Sequence, residues 1–274
     1  MSATGSSLYE ILVLESNDKS KTVDLKLGAV SIDYYEDIFS PTITAKIRVI
    51  NTGDTIAGNG DQLESIYNGL PLRGGERLRM KILDGNNTNT SLDFSSTPEK
   101  YLHVSSITEV ISNSQKESFL LNLVSKEAIV NETTRVSKKY SGTINQSVNK
   151  ILKDVLKTTK YRIADVEKSQ NKYPFIGNLK KPFTILTWLA SKAVPISSKD
   201  SSAGFLFFQT KEGFQFKSID GLIEQLEKAT YYYSEVNESE VDVNNDFKIL
   251  NYSIDKNQNL IEKLRLGAYA SQNM

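Results

Sequence analysis

Thr42-Ile43-Thr44-Ala45-Lys46-Ile47-Arg48-Val49 decides the reading of this 274-residue chain. Apolar side chains fall at Ile43, Ala45, Ile47 and Val49 and polar ones at Thr44, Lys46 and Arg48. That two-residue period is a strand with one buried face and one wet face. Residues 51–75 follow, a long stretch with neither strand nor helix period and no catalytic side-chain set. Structureless loops of such length are uncommon in compact domains and tend to be functional or disordered. A second alternating run, 76–83, resumes the wall, so the loop is expected to project from it.

Outward from this segment, residues 8–125 read almost wholly as strands: 8–15, 22–27, 30–35, 42–51, 76–83, 101–112 and 117–124. Turn signals separate them at Asn17-Asp18, Ser40-Pro41, Asp84-Gly85-Asn86-Asn87 and Ser112-Asn113-Ser114. The last two runs form a hairpin, and about seven antiparallel strands predict a small barrel or sandwich.

After Lys126 the period lengthens. Ile144, Val148, Ile151, Leu152, Val155 and Leu156 recur at helical spacing with Ser141 as the expected N-cap, while Asn149, Lys150, Lys153 and Asp154 line the opposite face. A second helix is predicted to start at Pro182 and run through Phe183, Leu186 and Leu189 toward Val194-Pro195, with Trp188 packed inside. Residues 204–209 and 214–218, joined by a short loop ending in Gly213, read as an aromatic-rich hairpin. Residues 219–226 look helical. From Ala229 a further strand-rich section begins, with candidates at Tyr231-Tyr232-Tyr233, 247–254 and 260–269, too few to close another barrel.

Composition narrows the function classes. Lys+Arg and Asp+Glu are both 33, so no net field steers the protein onto nucleic acid or an anionic membrane, although a balanced sum leaves local patches open. With no cysteine there is no disulfide, thiolate metal site or cysteine nucleophile, which fits a reducing compartment. Residues 1–7 lack the basic and apolar regions of a signal peptide, and no apolar run is long enough to span a bilayer.

Candidate chemistry is sparse. His103 is the only histidine and has no second histidine or cysteine to complete a usual metal set, so a structural strand histidine is expected. Glu36 with Asp37, and Glu235 with Glu238 and Glu240, are carboxylate neighbours, but glycoside hydrolysis needs a set cross-cleft separation and solvated acids are the expectation. Gly58-Asn59-Gly60 and Gly74-Gly75 lack the strand, helix and lysine of a phosphate loop and read as turn glycines. The oxygen ligands between Asn51 and Asp61 do not follow the EF-hand spacing. Phenylalanines at 205, 207, 208, 214 and 216 occupy both strand parities, the pattern of a core and not of an exposed stacking platform. No catalytic residue, metal or cofactor is expected.

Three stretches carry a likeness to a known family. They are Tyr34-Tyr35-Glu36-Asp37-Ile38-Phe39 into 42–49, Gly69-Leu70-Pro71-Leu72-Arg73-Gly74-Gly75-Glu76, and Phe205-Leu206-Phe207-Phe208-Gln209 to Gly213-Phe214-Gln215-Phe216. In pattern and order the chain resembles the central baseplate hub protein of T-even-like contractile-tailed bacteriophages, nearest to versions from phages of marine cyanobacteria. The resemblance implies an α+β chain: an N-terminal antiparallel tube-like β-barrel at 1–126, an α+β domain at 127–228, and the start of a second tube-like β domain at 229–274, completed in the family by sequence further along.

It also implies a structural role in the virion tail baseplate, assembled in the host cytoplasm, with no enzymatic activity. The expected form is a homotrimeric ring that adapts the spike to the six-fold tail tube and nucleates tube assembly. The partners implied are the central spike or tail-lysozyme protein, the tail-tube and tube-initiator proteins and the tape-measure protein, with no membrane and no sequence-specific nucleic acid. Asp54, Asp61, Arg73, Glu76 and Arg79, in and beside the long loop, are the expected contacts to a neighbouring subunit or to the tube. The alternative role is a carbohydrate- or receptor-binding β module of a phage tail.

Overall fold

Alternation in the first 125 residues becomes one curled antiparallel sheet. The computed structural model of the chain describes residues 7–52, 56–57, 63–83, 91–113, 116–159, 163–196, 204–227, 230–233 and 246–249. Its first strands are β1 (Leu8–Glu15), β2 (Thr22–Asp24), β3 (Ala29–Tyr35) and β4 (Thr44–Thr52). The stretch after β4 contains β5 (Ile56–Ala57), β6 (Leu63–Glu64) and the short helix α1 (Ile66–Gly69). Then come β7 (Arg77–Leu83), β8 (Leu92–Phe94), β9 (Leu102–Ser112) and β10 (Lys116–Ser125). The main sheet runs β2-β1-β7-β9-β10-β4-β3, with β8 on β7.

Ile43, Ala45, Ile47 and Val49 are buried, as their period predicts, and they meet Leu12, Leu14, Leu78, Met80, Leu102, Phe119 and Leu121 in one core. The edge strands β2 and β3 are joined by the turn at 25–28. There the Leu25 N–H donates to Leu12 O, and Gly28 O accepts from Ile50 N, both at 2.8 Å. A Cβ at Gly28 would lie 2.8 Å from Ile50 O, so only glycine lets the turn approach β4 this closely. The sheet is therefore a barrel-like curl bridged by a covalent turn.

Asp18 shapes the β1–β2 turn. Its carboxylate accepts from Ser16 Oγ at 2.6 Å, Ser20 N at 3.0 Å and Ser20 Oγ at 2.7 Å. These bonds, the Ser16 hydroxyl foremost, favour the charged form and hold the pKa down to about 2 from its ordinary 3.8. Because the folded value lies below the unfolded one, the turn's contribution to stability is full above about pH 4 and is lost as pH falls through about 2. A carboxyl NMR titration is expected to place Asp18 near 2; a midpoint at the ordinary value would contradict the turn geometry.

A second core forms from the following residues. α2 (Lys126–Thr133) leaves β10, and β11 (Lys139–Tyr140) precedes α3 (Ile144–Lys150), which continues as a π-helical turn over Ile151–Val155. Then follow β12 (Ile163–Val166), β13 (Phe175–Ile176), α4 (Pro182–Ala190), β14 (Phe205–Thr210), β15 (Gly213–Ser218) and α5 (Ile219–Ile223). Ile144, Val148, Ile151, Leu152 and Leu156 are buried, the predicted helical face. The N-cap is Thr143 and not Ser141: Gln146 Oε1 accepts from the Thr143 N–H at 3.3 Å in a capping box.

α4 starts at Pro182 as expected but stops at Ala190. Trp188 is 38% exposed, contrary to the prediction that it packs inside. It faces away from the Phe183, Leu186 and Leu189 stripe, and its ring meets the edges of Tyr173 and Phe175 at 5.3 and 5.5 Å. The β14–β15 hairpin is as predicted, with all five phenylalanines buried, and β12 adds to β15 in parallel. Taken together, the chain is α+β with a barrel-like antiparallel sheet first.

Residues 226–274 form a separate compact unit. In it β16 (Thr230–Tyr232) pairs in parallel with β17 (Asp246–Lys248). The expected strand at 247–254 is described only to residue 249, and the one at 260–269 lies outside the described residues.

Candidate interaction surfaces

The long loop is tied to the barrel rather than hung from it. Ile56, Ile66, Leu70 and Leu72 are buried in the first core, and a Cβ at Gly69 would come within 2.7 Å of the Ile56 side chain. The expectation of a stretch without regular structure is corrected accordingly. Two buried carboxylates fasten its two ends. Glu117 on β10 accepts from the Ile66 N–H at 2.7 Å and from Asn51 Nδ2 at 3.0 Å. Glu76 accepts from the Arg73 N–H at 2.7 Å, the Gly74 N–H at 3.0 Å and Asn17 Nδ2 at 3.1 Å. Gly74 and Gly75 hold φ of +97° and +94°, the left-handed region that turn glycines supply, and the Gly75 N–H donates to Val104 O.

Placed in this frame, the predicted contact residues separate. Arg73 is exposed beside the loop base, and Arg79 is half-buried on β7 with its neighbour Met80 in the core. Glu76 is 0% exposed and its carboxylate is spent within the chain, so it offers no surface to a neighbour. Asp54, Asp61 and Gly58-Asn59-Gly60, expected as a turn, lie outside the described residues.

Of the acids weighed for chemistry, Glu36 and Asp37 have structural partners, and Glu235, Glu238 and Glu240 lie outside the described residues. Glu36 Oε1 accepts from Tyr34 Oη at 2.7 Å and from the Lys211 N–H at 2.6 Å, while Asp37 accepts from the Phe39 N–H at 2.8 Å. His103 sits half-buried on β9 opposite Val124 of β10 and Arg77 of β7. Among the described residues no group of three or more His, Asp and Glu could hold a metal ion. Among those residues, too, no helix is long and apolar enough to cross a membrane.

Glu36 also belongs to a joint between the two cores that sequence reading missed. Gln209 is buried on β14, and its Oε1 accepts from the Ile43 N–H and Thr42 Oγ1, each at 3.3 Å. Thr42 Oγ1 lies 3.0 Å from Ser125 Oγ. The hairpin end is thus seated on the entry to β4 by polar bonds, and no local sequence signal marks contacts spanning 166–175 residues.

Apolar side chains on the surface mark where this unit has adhesive capacity. Leu27 and Val30 stand at the β3 edge, Phe39 in the turn before β4, and Val110 and Ile111 where the β9–β10 hairpin projects beyond the core. Glu109 of the hairpin pairs with Arg48 of β4 at 2.5 Å and sits at a φ of 52° beside a break in register.

Structural comparison gives this fold a class. The 43 kDa tail protein of prophage MuSo2 from Shewanella oneidensis matches with a TM-score of 0.52 and 11% identity over 84% of this chain and 60% of that one. A tail protein from Neisseria meningitidis MC58 (TM-score 0.48, 9% identity) and prophage tail protein gp18 from Listeria monocytogenes EGD-e (0.46, 10%) each match 84% of this chain and 56–57% of theirs. This chain thus spans about 60% of the length of the first of these neighbours. No protein-family model and no curated protein sequence matches. The fold is similar to that of the MuSo2 tail protein.

Proposed function

We propose that this chain is a structural subunit of a phage tail, and within the tail the baseplate hub. The observation that carries the reading is the curled antiparallel sheet joined to an α+β domain, in the arrangement shared with the MuSo2 tail protein. Residues 1–126 are then the first tube-like domain, 127–228 the α+β domain and 229–274 the beginning of a second tube-like domain. Three chains close a ring whose pseudo-six-fold face receives the tail tube and whose other face carries the spike. Such a subunit works by position, covering its edges and apolar patches against neighbours. The fastened loop base supports this role, because a contact element held by Glu76 and Glu117 presents Arg73 on rigid backbone.

Tube nucleation tests the reading. Added in trace amounts to the cognate tail-tube protein, the chain is expected to shorten the lag of tube polymerisation and to sit at one tube end in electron micrographs. An unchanged lag with bare tube ends would overturn the hub role. A second reading, a carbohydrate- or receptor-binding module, draws on the part-exposed Trp188 between Tyr173 and Phe175. Binding to a glycan array that is lost in Trp188→Ala would favour it.

A further inference from the structure

A basic ribbon crosses the second core. Residues 135–143 and 172–181 run antiparallel, pairing Val136 with Lys180, Lys139 with Ile176, Tyr140 with Phe175 and Thr143 with Lys172. The two segments hold six lysines and arginines and no acidic residue. Lys138, Lys139, Lys172 and Lys180 are exposed and have no ion pair among the described residues. Amid them Ile176 and Leu179 are 65% and 67% exposed, and Leu179 is held outward at a φ of 56° by the turn after Gly177. An apolar centre with a charged rim is the anatomy of a protein interface.

Charge complementarity identifies the occupant. The chain is neutral, so outside the ribbon it carries six net negative charges. The densest acidic run, between Lys228 and Lys248, has Glu235, Glu238, Glu240, Asp242 and Asp246 and no basic residue, interleaved with Val236, Val241 and Val243. We infer that the ribbon docks a second copy of this chain through that acidic, valine-bearing run, giving a head-to-tail contact. This rests on the ring-forming reading above, and a heterologous contact of this kind is what closes a ring. A nucleic acid fits less well, because Ile176 and Leu179 are not stacking groups and the Phe175 ring is already stacked on Tyr140 at 4.9 Å.

Charge exchange tests it on the full chain, read by sedimentation equilibrium at low and high salt. Lys138→Glu with Lys139→Glu, and separately Glu238→Lys with Glu240→Lys, are each expected to weaken self-association at least about ten-fold at low salt. Combining all four is expected to restore it. An oligomer unchanged by either pair overturns the docking site and leaves the hub reading standing, whereas a wild-type chain that stays monomeric overturns both. A single-stranded oligothymidylate that binds the wild type and not the lysine variant, with self-association unaltered, would assign the ribbon to nucleic acid instead. Circular dichroism on each variant, expected to match the wild type, separates lost docking from lost folding.

Discussion

Phe214→Ala is expected to cost about 3–5 kcal/mol, among the largest single effects in the chain. Phe214 is 0% exposed. Its ring stacks on Phe207 at 5.6 Å with planes 2° apart and meets Phe183 at 5.9 Å. Alanine leaves a void the size of a ring between two side chains fixed by β14 and α4, so collapse around it is limited. The two cores share no member, which localises the damage. In hydrogen exchange, amides of β12, β14 and β15 are expected to lose protection while those of β4, β9 and β10 keep it. Phe214→Leu, which retains most of the volume, is expected to cost less than about 1.5 kcal/mol. A loss under about 1 kcal/mol for the alanine variant would contradict this packing.

Glu76→Ala ranks next, at about 3 kcal/mol, because the carboxylate is the common acceptor for three donors. Removing it strands the Arg73 and Gly74 N–H groups, leaves the Asn17 amide only its bond to Gly74 O at 3.0 Å, and frees two glycines already in left-handed conformation. In thermal melts a loss of that size corresponds to roughly 6–12 °C for a domain of this length. Glu76→Gln keeps one acceptor oxygen without the charge and is expected to fall between wild type and alanine. If Glu76→Ala melts with the wild type, the loop is not fastened there.

These two residues also show how far the sequence can be read. Phe214 and Phe216 announce a core by occupying the same strand parity beside a facing run with aromatics at both parities, and the hairpin is local enough for its turn to be visible. Glu76 announces nothing: beside Arg73 and Arg79 it reads as a surface charge, and only the approach of Asn17, 59 residues away, makes it an interior clamp. The same holds for the loop. Ile56, Ile66, Leu70 and Leu72 sit in runs too short to show a period, so their burial emerges only from the curled sheet. β12 was hidden because its partner β15 is parallel and distant, with no hairpin turn between them. Thr143 was legible in principle, since Gln146 three residues on completes a capping box that Ser141 does not.

The candidate interface was legible only in part. Composition shows that charges balance overall, and the basic ribbon becomes a single surface only when 135–143 is laid against 172–181. Trp188 falls off the apolar stripe of α4, which its spacing from Leu186 and Leu189 allows, and the aromatic edges that receive it come from the ribbon.

The central claim is that this chain is a ring-forming structural subunit. Light scattering of the purified chain at physiological salt measures it most directly. The account predicts a species of about 92 kDa, three times the 30.7 kDa chain mass. A single species of 30.7 kDa that persists as concentration rises would contradict it.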